Sequence, residues 1–312
     1  MARQPTTLEA IRLFNGLADG IEGLTIDQFK HHYQIQLFKA QTEDIIQTCV
    51  SFLKELGAEF ICLKTRVSAS GASLQKPDIS ILFQVEGSSS LTKVREGIVC
   101  VEVDLLDTIN PGLFLDMRHF RLKQSELILD QLTESFGEIK LLNLFSYTCS
   151  FGLHSAMAGA QYTCNVDISG KILDRGKRNY QLSGIDPNLH GFVREDSRKF
   201  LEFCIRKEKQ FDFIVLDPPT FARYKKKTWS VHKELAGLLE QIDQILKPGG
   251  RLLLSTNASD IANSDLKTWA KPFNWKCIEE GGQDLDFKPS QDVKVRESSL
   301  SVCWFRKNKW ST

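Results

Sequence analysis

The segment Leu141–Ser169, LLNLFSYTCSFGLHSAMAGAQYTCNVDIS, decides how the rest of the chain is read. Leu141, Leu142, Leu144 and Phe145 form a short apolar run of the kind buried on both faces of a parallel sheet. Small and polar residues follow from Ser146 to Gly152, then mostly helix formers from Gly152 to Ala160, then a second short strand, Tyr162 to Val166, that ends on Asp167. Strand, tight loop, helix, strand and terminal acid make a nucleotide-binding βαβ unit. The helix N-terminus offers amides to an anion, and an Asp at the end of the second strand can accept hydrogen bonds from a ribose diol.

Glycine content narrows the ligand. A dinucleotide fingerprint needs three glycines in G-x-G-x-x-G spacing, and this loop has Gly152 alone. A pyrophosphate cradle is therefore disfavoured, and a cofactor with a ribose and an adenine but no phosphate, S-adenosyl-L-methionine, fits better. The competing reading at this point is an ordinary βαβ unit whose Asp167 is a solvated turn acid, since folds recur without shared function.

With 312 residues, 42% of them hydrophobic and 25% charged, the chain is long enough for two soluble globular domains. The opening MARQPTTLEAIRLF lacks the apolar core of a signal peptide and no apolar run approaches membrane-spanning length, so no membrane partner is expected. Cys49, Cys62, Cys100, Cys149, Cys164, Cys204, Cys277 and Cys303 form no C-x-x-C pair and mostly sit in apolar runs, which reads as reduced, buried thiols in a cytoplasmic protein. A net charge of +1 does not announce a nucleic-acid binder. Basic residues cluster locally at Arg223 with Lys225 to Lys227, at Arg175 to Arg178, at Arg206 to Lys209 and at Arg306 to Lys309, as solvated faces or as phosphate grips.

Ahead of the βαβ unit the pattern is α+β. A helix is expected around Thr7 to Leu17, a strand pair at Leu24 to Phe29 and Tyr33 to Phe38, and an amphipathic helix from Glu43 to Leu56 with Ile45, Ile46, Cys49, Phe52, Leu53 and Leu56 on one face. A strand at Phe60 to Lys64, a loop at Arg66 to Gly71, a strand at Ile79 to Val85 and a hairpin from Leu91 to Leu105 follow. Residues 1–108 read as a small substrate-presenting domain and residues 109–312 as a second, catalytic one. At the join, DTINPGLFLDMRHFR, a helix is expected from Asp116 to about Phe136. Arg118 or Arg121 could hold the carboxylate of an amino-acid cofactor tail and Asp116 its ammonium; a solvated helix start with Asp116 on the macrodipole looks the same.

Beyond Asp167 the alternation continues. Ser169 caps a helix through Gln181, Gly191 to Arg194 is a strand, and Glu195-Asp196-Ser197 begins a helix to Glu208. Asp196 is where an adenine amino group could be read, or a bare N-cap. The buried strand Phe211 to Leu216 then ends in Asp217-Pro218-Pro219-Thr220, followed by Phe221. Two prolines continue neither a ladder nor a helix, so this stretch is a rigid loop at the carboxyl edge of the sheet, where ligands bind in open α/β folds. Asp217 and the Pro218 carbonyl there could accept from a planar amine while Phe221 stacks on its ring, positioning that supplies most of what methyl transfer from a sulfonium needs. A helix from Thr228 to Leu246, a strand from Arg251 to Thr256, a helix from Ser259 to Ala270 and strands at Trp275 to Glu280 and Ser299 to Arg306 close the chain. Seven strands in this order suggest the Rossmann-like α/β sheet of class I methyltransferases, preceded by a smaller α+β domain.

NLFSYTCSFGLHSAMAGA, VDIS, DPPTF and the upstream ADGIEGLTID and PGLFLDMRHFR together resemble the bacterial family of S-adenosylmethionine-dependent methyltransferases acting on 23S ribosomal RNA of the large subunit. The resemblance implies that the loop Ser146, Tyr147, Thr148, Cys149 to Gly152 contacts the methionine part of the cofactor, Asp167 its ribose and Asp196 its adenine, with Asn143, Phe145, Ile168, Ser169 and Ser197 alongside. Asp217, Pro218, Pro219 and Phe221 would face the target base. The family often carries an N-terminal RNA-binding PUA domain, for which the N-terminal stretch is too short, so RNA recognition is expected from elsewhere or the substrate is expected to differ. Cys149 and Ser150 stand where relatives commonly have glycines, and their side chains resist positive φ and come close to the cofactor. Met117 stands where the family often has Gln.

Methylation at cytosine C5 requires a cysteine thiolate to add to C6. Relatives with that activity carry a Cys just after the fifth strand of the sheet, where this chain has Ser255-Thr256-Asn257, and position 220 is Thr. The expectation is therefore methylation of an RNA base at a nitrogen, guanine N7 or an exocyclic amine, on a base drawn out of its stack. A small-molecule methyltransferase and a non-catalytic RNA-binding relative are the alternatives; RNA and a second copy of the chain, as a homodimer, are the partners considered, and no metal site is expected.

Overall fold

The computed structural model describes residues 8–67, 73–134, 137–224, 227–288 and 300–309. The chain divides into two compact units, Met1–Arg118 with Asp284–Glu297, and His119–Gln283 with Ser298–Thr312.

The first unit is built on a five-stranded sheet of β1 (Ala10–Asn15), β2 (Leu24–Phe29), β3 (His32–Leu37), β4 (Phe60–Val67) and β5 (Ser73–Gln84), in that spatial order. Helix α1 (Glu43–Glu55) links the parallel pair β3 and β4 and packs Ile46, Val50 and Leu53 against Leu24, Ile26, Ile35 and Leu37. A separate hairpin joins β6 (Leu91–Glu96) to β7 (Val99–Asp104). The helix expected over residues 7–17 is instead strand β1. Ala10, Ile11 and Arg12 pair antiparallel with Phe29, Gln28 and Asp27, and the Arg12 guanidinium meets the Asp27 carboxylate at 2.5 Å, so a tertiary partner overrides local helix propensity. The loop expected at residues 66–71 falls largely on residues outside the described set; Arg66 and Val67 end β4.

This unit runs past residue 108 and takes back a later segment through charge. Arg118, buried, donates to the Ala10 carbonyl at 2.8 Å and pairs with Asp284 at 2.8 Å and Asp286 at 2.7 Å. Asp286 also accepts from the Arg12 amide at 2.7 Å, and Lys288 reaches Asp19 at 2.7 Å. Two acids spaced by one residue thus fold back onto two arginines that lie more than 160 positions earlier.

The second unit begins with α2 (Arg118–Glu134), entered through a 3-10 turn at Leu115–Met117 rather than directly at Asp116. Its sheet has the order β10-β9-β8-β11-β14-β16-β15, made of β8 (Lys140–Leu144), β9 (Tyr162–Asp167), β10 (Gly191–Arg194), β11 (Phe211–Leu216), β14 (Leu246–Thr256), β15 (Trp275–Gly281) and β16 (Ser301–Lys307). The strands β10, β9, β8, β11 and β14 are parallel, and β16 runs antiparallel between β14 and β15. This is the seven-stranded class I arrangement. Helices α3 (Ser150–Met157), α4 (Gly170–Leu182), α5 (Ser197–Arg206), α6 (Val231–Ile245) and α7 (Asn263–Ala270) complete the unit. One apolar cluster joins Leu142, Leu144, Ile214 and Leu216 of the sheet to Leu235, Leu238, Leu239 and Ile242 of α6.

The long helix expected from Thr228 starts only at Val231, after a two-stranded hairpin of β12 (Phe221–Tyr224) and β13 (Lys227–Ser230). The buried positions Val231, Leu235, Leu238, Leu239, Ile242 and Ile245 hold a helical period, while the residues just ahead of them are taken by the antiparallel pairing of β13 with β12. Lys225 and Lys226 lie outside the described residues.

Candidate active site

Strands β8, β9 and β11 all end at one edge of the sheet, and the candidate residues gather there. The loop after β8 has three residues other than glycine in the left-handed region, Phe145 (φ 54°), Tyr147 (φ 47°) and Cys149 (φ 65°), alternating with Ser146 and Thr148, which are not. Each such residue costs on the order of 1–2 kcal/mol. Strain of this kind persists only where surrounding contacts fix it, and it concentrates at functional sites.

The contacts that fix it come from β9 and α4. The Asp167 carboxylate accepts from the Tyr147 amide at 3.1 Å through Oδ2 and from the Ser169 amide at 2.9 Å through Oδ1. Asn179 of α4 donates to the Thr148 carbonyl at 3.2 Å. The Cys149 side chain is fully buried against Gly176 of α4, where a Cβ would stand only 2.4 Å from the sulfur. Cys149 therefore adopts positive φ after all, with its thiol packed into the notch left by Gly176. Burial pushes that thiol far above the ordinary range, so it is neutral.

Gly152 has a packing role. A Cβ there would lie 2.2 Å from Asn165 Oδ1 and 2.7 Å from the Tyr180 hydroxyl, so its bare backbone lets α3 approach β9 closely. The atoms it abuts belong to a buried chain of polar groups: Asn143 donates to Asn165 at 3.0 Å, Asn165 to the Tyr180 hydroxyl at 3.1 Å, and that hydroxyl meets Thr163 at 2.7 Å. Asn143 thus supports the site from within the sheet.

At β11 the loop is braced from the neighbouring strand. Ser255, at the end of β14, donates to Asp217 Oδ1 at 2.6 Å, and the Thr220 hydroxyl donates to Asn257 Oδ1 at 2.5 Å. Burial raises the Asp217 carboxyl above its ordinary value, opposed by the Ser255 hydrogen bond and the positive charge of Arg121. Burial likewise raises Asp167, opposed by its backbone hydrogen bonds. Pro218 is buried and Pro219 half-buried, while the side chain of Phe221, expected to stack on the base, lies outside the described residues.

The remaining candidates separate. Arg121 is buried in α2 with its guanidinium 6.0 Å from the Phe151 ring centroid, on the same unit as the loop and Asp217. Arg118 and Asp116 belong to the other unit, and Arg118 is already held by Asp284 and Asp286, which removes it as the cation for a cofactor carboxylate. Asp196 is the N-cap of α5, accepting from the Arg198 amide at 3.0 Å, and both its oxygens meet the Arg198 guanidinium, which holds its carboxyl below the ordinary value. Ser197 is buried, Ser169 caps α4 without a side-chain hydrogen bond, and Ile168 is exposed at 39% beside Asp167.

Residues 12–270 match the family described as S-adenosylmethionine-dependent methyltransferase. The chain belongs to this family. Among its relatives, YwbD of Bacillus subtilis (strain 168) is 31% identical over 82% of this chain and 62% of its own length. Ribosomal RNA large subunit methyltransferase I of Klebsiella pneumoniae (strain 342) is 30% identical over 83% of this chain and 62% of its own. The chain thus spans 62% of the length of these relatives. In fold it is similar to SMU.776 complexed with SAH (TM-score 0.81, 24% identity, 97% of this chain and 76% of that one) and to the SAM-dependent methyltransferase of Agrobacterium tumefaciens (TM-score 0.70, 17% identity, 98% and 92%).

For the cofactor of this methyltransferase family the residues fit. The Asp167 carboxylate accepts backbone amides, Tyr147 at Oδ2 and Ser169 at Oδ1 among them, and keeps acceptor capacity for a ribose hydroxyl. Residues that reading from sequence missed are Ser255, Asn257, Asn179 and Gly176. For Ser255 and Asn257 a signal existed, because β14 lies beside β11 in the class I order and so brings its carboxyl end against Asp217.

Proposed function

We propose that the chain transfers the methyl group of S-adenosylmethionine to a nitrogen of an RNA base, guanine N7 or an exocyclic amine, in large-subunit 23S rRNA within the cytoplasm. The observation that carries the reading is the Asp217-Pro218-Pro219-Thr220 loop, fixed at the carboxyl edge by Ser255 and Asn257. Those two braces stand where a C5 enzyme would place its thiol, and both are spent on holding the loop. The names of the ribosomal RNA large subunit methyltransferases support the substrate class.

The bound cofactor supplies an already electrophilic methyl on a sulfonium. What this chain adds is placement. Ser255 fixes one oxygen of Asp217 and so aims the other, and the Pro218 carbonyl, held rigid between two proline rings, is the second acceptor for N–H groups of a base. For an exocyclic amine, Asp217, whose carboxyl burial pushes above its ordinary value, would accept the proton that the amine gives up on taking the methyl group. For guanine N7 a ring lone pair attacks and no proton leaves.

The test is mass spectrometry of nucleosides from 23S rRNA of cells with and without this protein, and of the same RNA treated with purified protein and S-adenosylmethionine. Loss and restoration of one N-methylated nucleoside is expected. Appearance of 5-methylcytidine instead overturns the nitrogen assignment, and no change in any RNA nucleoside overturns the RNA substrate.

A further inference from the structure

At the opposite side of the sheet from β10, the edge strand β15 and its neighbour β16 bring together three side chains that the methyl-transfer site does not use. Cys277, Glu280 and Cys303 place their sulfur and carboxylate oxygen atoms within 4.8 Å of one another. In a regular strand, residues three apart face opposite sides. Here the register shifts between Cys277 and Glu279, so Cys277 lies opposite Phe305, Glu279 opposite Trp304 and Glu280 opposite Cys303. The bulge at Ile278 thus turns Glu280 onto the face that carries both thiols. Bulges re-aim side chains in this way at sheet edges and functional sites.

Helix α7 covers that face. The Asn263 carbonyl lies 3.8 Å from the Cys303 sulfur, and Lys267 pairs with Glu280 at 2.7 Å. Cys303 is buried, Cys277 half-buried and Glu280 exposed, so the cluster opens to solvent on its carboxylate side. The geometry points to a site for a thiophilic divalent cation, zinc in the cell, held by Cys277, Cys303 and Glu280 with water in the fourth position. Tetrahedral zinc has sulfur at ~2.3 Å and carboxylate oxygen at ~2.0–2.2 Å, which sets its donors roughly 3.5–4 Å apart. The cluster reaches that spacing by closing by about 1 Å. Two thiols and a carboxylate select zinc or cadmium over calcium and magnesium, which take oxygen donors.

Binding forms two metal–sulfur bonds and one metal–oxygen bond and releases the two thiol protons to solvent, with no change of oxidation state. The ammonium of Lys267 is the competitor, because it holds the carboxylate that the metal takes. An ion here clips the outermost strand β15 to β16, a consequence independent of methyl transfer.

The experiment is titration of the reduced full chain with cadmium ion, followed by thiolate-to-cadmium charge-transfer absorption, with zinc competing the signal away. One equivalent is expected to saturate the band. Cys277→Ser and Cys303→Ser lose it at one equivalent, Lys267→Met tightens binding, and Cys100→Ser, in the other unit, retains the wild-type curve. Because Cys303 is buried, Glu280→Gln serves as the variant that leaves the core intact, and it weakens binding while both thiols remain. A band that persists in Cys277→Ser, or no band at one equivalent in the folded wild-type chain, overturns the site. So does a Cys277–Cys303 disulfide in freshly purified protein whose reduction yields no metal uptake.

Discussion

The contact between Cys149 and Gly176 turns the question of the strained loop into a measurable coupling. A methyl placed on Gly176 would stand 2.4 Å from the Cys149 sulfur and 3.0 Å from its Cβ, both fully buried. Overpacking of this kind costs ~2 kcal/mol, and replacing a helical glycine by alanine returns ~1 kcal/mol, so Gly176→Ala alone should destabilise by about 1 kcal/mol. Cys149→Gly loses a buried thiol and methylene, ~1.5 kcal/mol, and adds ~0.5–1 kcal/mol of chain entropy, but recovers ~1–2 kcal/mol because glycine tolerates the φ of 65° found there, again leaving about 1 kcal/mol of loss. In the double variant the clash is gone, the new methyl refills part of the void, and the helix and φ gains both remain, so the net change is about zero. The two substitutions should therefore be coupled by roughly 2 kcal/mol relative to their sum. Urea unfolding of the four proteins, extrapolated to water, measures this. Additive effects within ~0.5 kcal/mol would refute the contact as the reason Cys149 can occupy a left-handed position.

Ser255, Asp217, Asp167 and Arg118 each give a further measurable outcome. Ser255→Ala removes the 2.6 Å hydrogen bond to Asp217, worth ~1.5–3 kcal/mol for a charged acceptor, so kcat should fall by roughly 10–100-fold with cofactor affinity unchanged, while a parallel loss of SAH binding would place Ser255 in another role. Asp217 has a raised carboxyl pKa, so its contribution to folding is present below the ordinary carboxylate value of 3.8 and is lost as pH rises through the raised value, whereas its acceptor role appears only above that value. The acid limb of the kcat profile should accordingly lie above the ordinary carboxylate range and move higher still in Ser255→Ala. Asp167→Asn turns an amide donor toward backbone N–H groups that the carboxylate now accepts from, a loss of ~1–3 kcal/mol that should weaken SAH binding by about 10-fold or more in calorimetry. Arg118→Met removes the guanidinium partner of Asp284 and Asp286, leaving them backbone amides, and should cost about 3 kcal/mol in thermal unfolding while SAH affinity stays the same; lost affinity at unchanged stability would return Arg118 to the cofactor site.

What could be read from the chain alone was whatever has a short-range period. Strands buried on both faces are continuous apolar runs, and Phe211–Leu216 is one, buried at every position. The helical period of α1 was legible but its buried face only in part: Ile46 and Leu53 are buried together with Val50, while Phe52 and Leu56 of the expected face are exposed. The misread elements depend on distant partners. Ala10–Asn15 has enough helix-compatible residues to suggest a turn or two of helix, and only its ladder with β2 makes it a strand. The return of Asp284 and Asp286 to Arg118 and Arg12 is a charge match between segments with no shared pattern.

The site follows the same division, with one difference. Asp167, Asp196 and Asp217 stand out in the sequence because each ends or follows a strand, a positional rule that says where an acid sits but not what it already holds. Asp167 holds the loop through the Tyr147 amide, Asp196 is paired twice by Arg198, and Asp217 is held by Ser255. A carboxylate bonded to a backbone amide or a hydroxyl is oriented and still an acceptor. One paired with a guanidinium also keeps acceptor capacity, but its charge is already partly neutralised and its oxygens are aimed by Arg198. The three acids that look alike in sequence are therefore held differently: Asp167 by backbone amides, Asp217 by the Ser255 hydroxyl, and Asp196 by the Arg198 guanidinium while it caps α5. Arg198→Ala separates these roles: it frees the Asp196 carboxylate while leaving the cap bond to the residue 198 amide in place. Tighter SAH binding in that variant would bring Asp196 back beside the adenine, and unchanged binding keeps it as a cap.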